Sequence, residues 1–292
     1  MEAHIENFPP LINSVRSAGY EAALGEGFYP MLKFAANLTM LYGEVPFLER
    51  FQRARGSGFR AVEFLFPYDD TVENVVKAQR DAGVEVVLMN APAGQWAAGE
   101  RGIAGLPGRE EEFRRGFEMA MDYAARLQCR NINCLAGIVP PGLTPDAVES
   151  VLVENIRWAA AQARRIGANI LIEPINTWDV AGFFLTTTEE AYRLIQTIGS
   201  DNVAIQYDIY HAQRMRGELT GTFRTYFPWI SHIQIADNPG RHEPGTGEIY
   251  YPFLFQTIDQ AGYQGYIGLE YIPRGDTEES LRWMKTVNGG GQ

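Results

Sequence analysis

The chain has 292 residues, of which 46% are hydrophobic and 21% charged, a composition typical of a folded globular protein. Its formal net charge of −11 at pH 7 predicts no nucleic-acid partner, because phosphate contacts need clustered Lys and Arg. No segment approaches the roughly 20 apolar residues of a membrane-spanning helix, so no membrane partner is predicted. Only Cys129 and Cys134 are present, which indicates a reducing compartment, and we predict a cytoplasmic location.

The first 30 residues contain few basic side chains and no long apolar stretch, so they are typical of neither a secretory signal nor a transit peptide. We interpret residues 1–30 as an N-terminal extension without a catalytic role. A helical arm that packs on the domain or on a neighbouring subunit is the alternative. Residues 31–287 are predicted to form one domain, and the glycine-rich residues 288–292 a flexible tail.

From Leu32 onward, strand-like and helix-like segments alternate. The strand-like segments are short apolar runs rich in β-branched residues, which is typical of buried parallel strands. Eight strands are predicted, at residues 32–37, 60–65, 84–89, 130–134, 169–173, 203–208, 230–234 and 266–270. Eight helices are predicted to follow them, at residues 45–56, 71–82, 110–127, 145–166, 188–198, 211–220, 252–261 and 277–285.

This alternation predicts parallel strands joined by right-handed crossovers. Eight such units in about 250 residues predict an α/β fold, the (β/α)₈ TIM barrel, whose active sites lie at the C-terminal ends of the strands. An open doubly wound sheet is the alternative fold. That fold normally carries a glycine-rich phosphate turn after its first strand, and the chain contains no G-x-G-x-x-G sequence.

Four predicted strands carry an oxygen-bearing side chain at their C-terminal ends: Glu173, Asp208, Gln234 and Glu270. A carboxylate beside a buried core is costly unless it has a partner. The intervals of 35, 26 and 36 residues each fit one helix and one strand, so the four side chains are predicted to meet at the barrel mouth. Their oxygens suit a hard divalent cation, Mg²⁺ or Mn²⁺, whereas a zinc site would show more His or Cys. Carboxylates that instead bind arginine or cap a helix are the alternative.

Three motifs surround these residues: LIEPIN at residues 171–176, YDIYH at 207–211, and IQIADNPGRHEPG at 233–245, which continues into Gly247-Glu248-Ile249. Through them, the chain from about Met31 to Lys285 resembles the hydroxypyruvate isomerase family of xylose isomerase-like TIM barrels. The resemblance implies four metal ligands, which are Glu173, Asp208, Gln234 and Glu270. It also implies that Glu173 and Glu270 are the acid–base pair, and that His211 and Arg241 contact the substrate.

The reaction implied is an aldose–ketose type isomerisation of hydroxypyruvate to tartronate semialdehyde through an enediolate, with no redox cofactor. The alternatives of the same kind are a 2-oxo-tetronate isomerase and a ketose 3-epimerase. Ketose 3-epimerases of the wider superfamily carry His where this chain has Gln234, which weakens the epimerase alternative. A metal-dependent endonuclease would need more His ligands and a basic face. A sugar-binding barrel without catalysis is disfavoured by the presence of both glutamates.

Further candidates lie near these motifs. The guanidinium of Arg241, in a Pro-Gly loop, suits a substrate carboxylate, although a surface-loop arginine is the alternative. His211 is predicted to orient a substrate oxygen or relay a proton, and a capping or core histidine is the alternative. Trp178 and Asp179 follow the Glu173 strand and are predicted to form an aromatic lid over the substrate. Loop aromatics also pack between subunits, so a homo-oligomer is a second interpretation.

Glu63 and Asn90 end the second and third predicted strands. We predict that they line the far wall of the substrate pocket, and hydrogen bonding within the barrel mouth is the alternative. His232 precedes Gln234 by two residues, so we predict a buried, hydrogen-bonded histidine one layer deeper. Cys134 is predicted to serve packing, because no adjacent base is evident in the sequence.

Overall fold

The structure is a computed structural model, and it describes residues 32–287. The extension predicted at residues 1–30 and the tail at residues 288–292 lie outside the described residues. Within them, eight parallel strands pair in chain order and close into a barrel, because the first strand pairs with both the second and the eighth. The predicted (β/α)₈ TIM barrel is therefore confirmed.

The strands are β1 (Lys33–Asn37), β2 (Ala61–Phe64), β3 (Glu85–Asn90), β4 (Asn131–Asn133), β5 (Asn169–Ile172), β6 (Val203–Asp208), β7 (Ile230–Ile235) and β8 (Tyr266–Leu269). The helices are α1 (Phe47–Gly56), α2 (Val72–Ala82), α3 (Glu110–Leu127), α4 (Pro145–Ala163), α5 (Thr188–Ile198), α6 (Ile209–Met215), α7 (Leu219–Tyr226), α8 (Tyr251–Gln260), α9 (Thr277–Ser280) and α10 (Met284–Val287). Within the described residues, no helix is both long and apolar enough to cross a bilayer.

Threonine side chains begin three of the long helices. Thr71 and Thr144 accept hydrogen bonds from backbone N–H groups in the first turns of α2 and α4. Thr187 forms a capping box at the start of α5, in which its hydroxyl accepts from the Glu190 N–H and the Glu190 carboxylate accepts from the Thr187 N–H. These caps satisfy N–H groups that a helix start would otherwise leave without a partner.

Two predicted helices differ from the structure. The single helix predicted at residues 211–220 is wrong, because Gly217 (φ 64°) and Glu218 (φ 46°) both adopt left-handed backbone conformations that end α6 before α7 begins. The helix predicted at residues 277–285 consists of α9, a 3₁₀ turn (Leu281–Trp283) and α10. The other helices begin and end close to their predicted bounds.

The interior of the barrel contains a fully buried carboxylate, Glu63, at 0% exposure. Its oxygens accept hydrogen bonds from Asn37 Nδ2 at 2.9 Å and Gln234 Nε2 at 2.8 Å, and the His232 ring nitrogen Nε2 lies 2.6 Å from Oε2. Three partners offset the cost of burying this group. The buried, hydrogen-bonded state predicted for His232 is confirmed.

Gly268 on β8 leaves the space that the Glu63 carboxylate fills. A Cβ atom at this position would lie 2.2 Å from Glu63 Oε2 and 2.4 Å from its Cδ, far inside van der Waals contact. Gly268 pairs in register with Ala35 of β1 and Gln234 of β7, so the strand cannot shift to relieve the clash without breaking two ladders. A glycine is therefore required here by the buried network.

We expect Gly268→Ala to lower the free energy of unfolding by about 1–3 kcal/mol, because the added methyl group overpacks the barrel against Glu63. Gly56→Ala at the end of α1 is the matched control, since a Cβ there meets nothing within 4 Å; its effect should stay within about 0.5 kcal/mol. Chemical denaturation of both variants measures the difference. Equal stability of the two would show that the Glu63 carboxylate does not lie against β8.

Candidate active site

The four predicted ligands lie where the strands meet the mouth of the barrel. Asp208 ends β6, Gln234 lies in β7, and Glu173 and Glu270 directly follow β5 and β8. All four are buried. A cavity of about 210 Å³ opens at this end, and Glu173, Gln234 and Glu270 are among its lining residues. Parallel strands that end at one height bring residues from distant parts of the chain into one site.

Five of the predicted site residues form one cluster. The His211 Nε2 atom lies 3.6 Å from Asp208 Oδ2 and 3.9 Å from Glu173 Oε1. On the other side, Arg241 Nη2 lies 3.2 Å from Glu270 Oε2 and 3.6 Å from Asp208 Oδ2. Asp208 therefore connects the two halves of the site, and the arginine balances part of its negative charge.

Burial strongly shifts the pKa values of the titratable groups in this cluster. Burial raises the pKa of Glu173 to about 8, an effect increased by Asp208 and opposed by Arg241 and by the Asn133 amide, whose Nδ2 donates to Oε2 at 2.7 Å. Burial also holds the pKa of Glu270 well above its ordinary range, against the opposing charge of Arg241. The pKa of Glu173 therefore lies near neutral pH, as suits a general acid or base, and the pKa of Glu270 is shifted in the same direction.

His211 is oriented by Asn176. The Asn176 Oδ1 atom accepts from the Asp179 backbone N–H at 2.9 Å, so its Nδ2 faces His211 Nδ1 at 2.6 Å. Nδ1 is then an acceptor, and Nε2 carries the proton toward Asp208 and Glu173. Burial lowers the pKa of His211 to about 4, although Asp208 opposes the shift. The imidazole is therefore a neutral donor at pH 7.

The donor set fits a divalent cation. Asp208 Oδ1 accepts from the backbone N–H groups of Tyr210 at 2.8 Å and His211 at 3.3 Å, whereas Asp208 Oδ2 and Glu270 Oε2 are buried without a hydrogen-bond partner. One atom from each of Glu173, Asp208 and His211 lies within 4.8 Å of the other two. Because His211 Nε2 carries a proton in the tautomer that Asn176 favours, the two carboxylates are the candidate ligands of this group. Carboxylate oxygens that face a shared space suit Mg²⁺ or Mn²⁺.

Gln234, the fourth predicted ligand, has both ends of its amide in hydrogen bonds. Its Nε2 donates to Glu63, and its Oε1 accepts from the Gln206 amide. Because Glu63 Oε1 accepts from the Gln234 nitrogen, the Gln234 oxygen is turned away from Glu63. Glu63 lies within this network and is not among the cavity-lining residues, so the substrate contact predicted for it stays a prediction without support from its position.

The other predicted substrate contacts are divided between the cavity and the surface. Asn90 and Asp179 line the cavity, and Asp179 accepts from the Tyr210 hydroxyl at 2.9 Å. Trp178 is 75% exposed and does not line the cavity, so the predicted aromatic lid does not cover the site in this structure. The contact predicted between Arg241 and a substrate carboxylate stays a prediction, and in the structure Arg241 pairs with two carboxylates of the protein.

Several residues at the site were not predicted from the sequence. Asn133 ends β4 and binds Glu173, so its strand-end position was an available signal. Gln206 lies two residues before Asp208, so the period-two alternation of a strand gives both the same facing. Trp96 and Arg101 line the cavity from the long loop between β3 and α3, and loop length was their only signal.

The predicted packing role of Cys134 agrees with its burial, which raises the pKa of its thiol.

Known proteins resemble this chain over most of its length. The xylose isomerase-like TIM barrel family matches residues 51–287. The hydroxypyruvate isomerase of Escherichia coli strain K12 is 52% identical over 254 residues, which cover 87% of this chain and 98% of the relative. The 2-oxo-tetronate isomerase of Cupriavidus necator is 43% identical over 260 residues, which cover 89% of this chain and 100% of the relative.

Among solved structures, a crystal structure described as an AP endonuclease of family 2 from Brucella melitensis superposes with a TM-score of 0.86. It is 44% identical and covers 88% of this chain and 100% of its own. These likenesses agree with the closed barrel of the structure. The chain thus belongs to the hydroxypyruvate isomerase family of xylose isomerase-like TIM barrels, which is a family of enzymes.

Proposed function

We propose that this protein is a metal-dependent isomerase that interconverts hydroxypyruvate and tartronate semialdehyde by glutamate-mediated proton transfer. The observation that carries the proposal is the convergence of Glu173, Asp208 and Glu270 on one small cavity, together with His211 and Arg241. The 52% identity to the Escherichia coli hydroxypyruvate isomerase supports the choice of substrate. The two buried, free cysteines of this chain, Cys129 and Cys134, support the cytoplasmic location that we propose.

The reaction moves hydrogen within one molecule. The hydroxymethyl carbon C3 of hydroxypyruvate loses a proton, and C2 gains one, while the hydroxyl proton passes from O3 to O2. Of Glu173 and Glu270, one accepts the proton from C3 and the other delivers one to C2 through an enediolate. The raised pKa values of both groups suit this exchange near neutral pH. No oxidant is required, because one carbon is oxidised as its neighbour is reduced.

The remaining side chains position the substrate and stabilise charge. A divalent cation held by Glu173, Asp208, Gln234 and Glu270 supplies, when bound, positive charge that favours loss of the α-proton. His211 donates its Nε2 proton to a substrate oxygen, and Asn176 keeps the imidazole in that tautomer. Arg241 reduces the repulsion between Asp208 and Glu270.

A 2-oxo-tetronate isomerase is the second candidate, supported by the Cupriavidus necator relative at 43% identity. The two substrates share the α-hydroxy ketone beside a carboxylate and differ by one hydroxylated carbon. Comparison of kcat/KM for hydroxypyruvate, a 2-oxo-tetronate and a free ketose separates these functions. An endonuclease is not favoured, because a net charge of −11 opposes binding to a nucleic-acid backbone.

Glu173→Gln and Glu270→Gln should each lower kcat for hydroxypyruvate by at least about a hundredfold, because each removes one proton-transfer group. Formation of tartronate semialdehyde, followed by proton NMR, measures the rate. Glu118→Gln, on the exposed surface of α3, is the matched control and should retain full activity. Full activity in either cavity variant would remove that glutamate from the mechanism.

Metal removal should abolish activity, and added Mg²⁺ or Mn²⁺ should restore it. Because the cation would bind only the folded chain, a hundredfold excess over Kd should raise the midpoint of heat denaturation by about 5–10 °C. Asp208→Asn should lose this shift, whereas Asp122→Asn, on the exposed face of α3, should keep it. A midpoint that does not respond to either cation would argue against a metal site.

A further inference from the structure

A second arginine, Arg101, lines the same cavity as Glu173 and Glu270. It lies in the loop between β3 and α3, whereas Arg241 lies in the loop that follows β7. Because β3 and β7 are four strands apart in a closed ring of eight, these loops reach the cavity from opposite sides. We propose that Arg101 binds the substrate carboxylate and so selects 2-oxo acids over neutral ketoses, an inference that rests on the isomerase function proposed above.

The guanidinium of Arg101 has no carboxylate partner in the described part of the chain. Among residues 32–287, no carboxylate lies within ion-pair distance of Arg101. Its neighbour Glu100 is bound instead to Arg109, whose Nη2 lies 3.2 Å from Glu100 Oε2, and to the backbone N–H of Gln95. Arg241, in contrast, pairs with Glu270 and Asp208. Of the two arginines that line the cavity, Arg101 is thus the one whose charge is available to an anionic ligand.

The guanidinium is held in place before any ligand binds. It lies 4.2 Å from the centre of the Trp96 ring, and Trp96 contacts Phe66 with ring centres 5.0 Å apart. Its Nη1 donates to the backbone oxygens of Trp96 at 3.0 Å and Glu100 at 2.7 Å. Nε and Nη2 make no hydrogen bond within the described part of the chain, and together they form the edge that binds a carboxylate in a bidentate manner.

The backbone beside Arg101 is equally constrained. Gly102 has a φ of 118°, and a Cβ there would lie 2.4 Å from the Leu135 carbonyl oxygen. Its N–H donates to the Ala93 carbonyl at 3.0 Å, and Ala104 N–H donates to the Leu135 carbonyl at 3.2 Å. The loop is therefore fixed against the segment that follows β4, so little ordering entropy is lost when Arg101 binds a ligand.

The distribution of charge favours one orientation of an anionic substrate. Three carboxyl groups, Glu173, Asp208 and Glu270, lie on strands β5 to β8, and they would repel a substrate carboxylate placed beside them. A carboxylate at Arg101 avoids this repulsion and directs the α-hydroxy ketone toward the two glutamates. A cavity of about 210 Å³ is also smaller than the pockets of about 300–1,000 Å³ that hold larger ligands, as suits a short acid.

The test compares two ligands that differ at one group: hydroxypyruvate and dihydroxyacetone, in which a neutral hydroxymethyl group replaces the carboxylate. Arg101→Met should raise KM for hydroxypyruvate by about 10- to 100-fold, the loss expected for hydrogen bonds to a charged group, and change kcat much less. The weaker binding of dihydroxyacetone should not change. Arg101→Lys keeps the positive charge but cannot form a bidentate pair with a carboxylate. Its KM for hydroxypyruvate should lie between those of the wild type and Arg101→Met.

Arg114→Met is the matched control, because the Arg114 guanidinium also stacks on a tryptophan, 5.5 Å from the Trp158 ring centre, outside the cavity. It should leave both ligands unaffected. The assignment would be overturned if Arg101→Met weakened the binding of both ligands equally, or if it left the KM for hydroxypyruvate unchanged. Circular dichroism and the heat-denaturation midpoint show whether each variant is folded.

Failure of the proposed function can be told apart from failure of this inference by calorimetric binding to the wild-type protein and to Arg101→Met. The wild type should bind hydroxypyruvate more tightly than dihydroxyacetone even if it isomerises neither compound. Loss of that preference in Arg101→Met supports the role of Arg101. Equal binding of the two by the wild type, or a preference that survives in Arg101→Met, rejects it.

Discussion

The structure of the site depends on the burial of three carboxyl groups beside one guanidinium. Glu173, Asp208 and Glu270 lose most of their hydration at the barrel mouth, and the charge of Arg241 offsets part of their mutual repulsion. Asp208 Oδ2 and Glu270 Oε2 remain buried without a hydrogen-bond partner, and the proposed cation would offset the remaining repulsion. The same burial raises the pKa values of both glutamates, so the constraint that makes the site costly also suits it to proton transfer.

A fourth buried carboxylate, Glu63, supports the site through its hydrogen bond with Gln234. Its bonds to His232 and Gln234 join β2 to β7, and Gly268 of β8 leaves the space it needs. This network fixes which end of the Gln234 amide faces Glu63, which an apolar barrel interior could not do. The polar interior therefore favours a defined orientation of Gln234, one of the predicted metal ligands, over the maximal burial of apolar surface.

Periodicity and strand-end position predicted the barrel and the convergence of Glu173, Asp208 and Glu270, because both are local properties of parallel strands. The contact of Glu63 with β7 and β8 could not be predicted, since it depends on how the barrel closes. Arg101 was missed for a related reason: its loop is placed by hydrogen bonds to residues beyond β4. The break between α6 and α7 depends on a left-handed Glu218, a conformation that its residue type does not favour.

The opposed positions of Arg101 and the glutamates bear on the distinction between isomerase and epimerase. If the substrate carboxylate binds Arg101 as proposed, C2 and C3 would lie toward Glu173 and Glu270, the two proposed proton-transfer groups. C3 of hydroxypyruvate is not a stereocentre, so return of a proton to it regenerates the substrate, and only transfer to C2 gives a product. A 2-oxo acid with a longer chain has a stereocentre at C3, where the same glutamates could also cause epimerisation. On the proposed mechanism, the length of the substrate, more than the identity of the proton-transfer residues, would therefore determine whether epimerisation accompanies isomerisation.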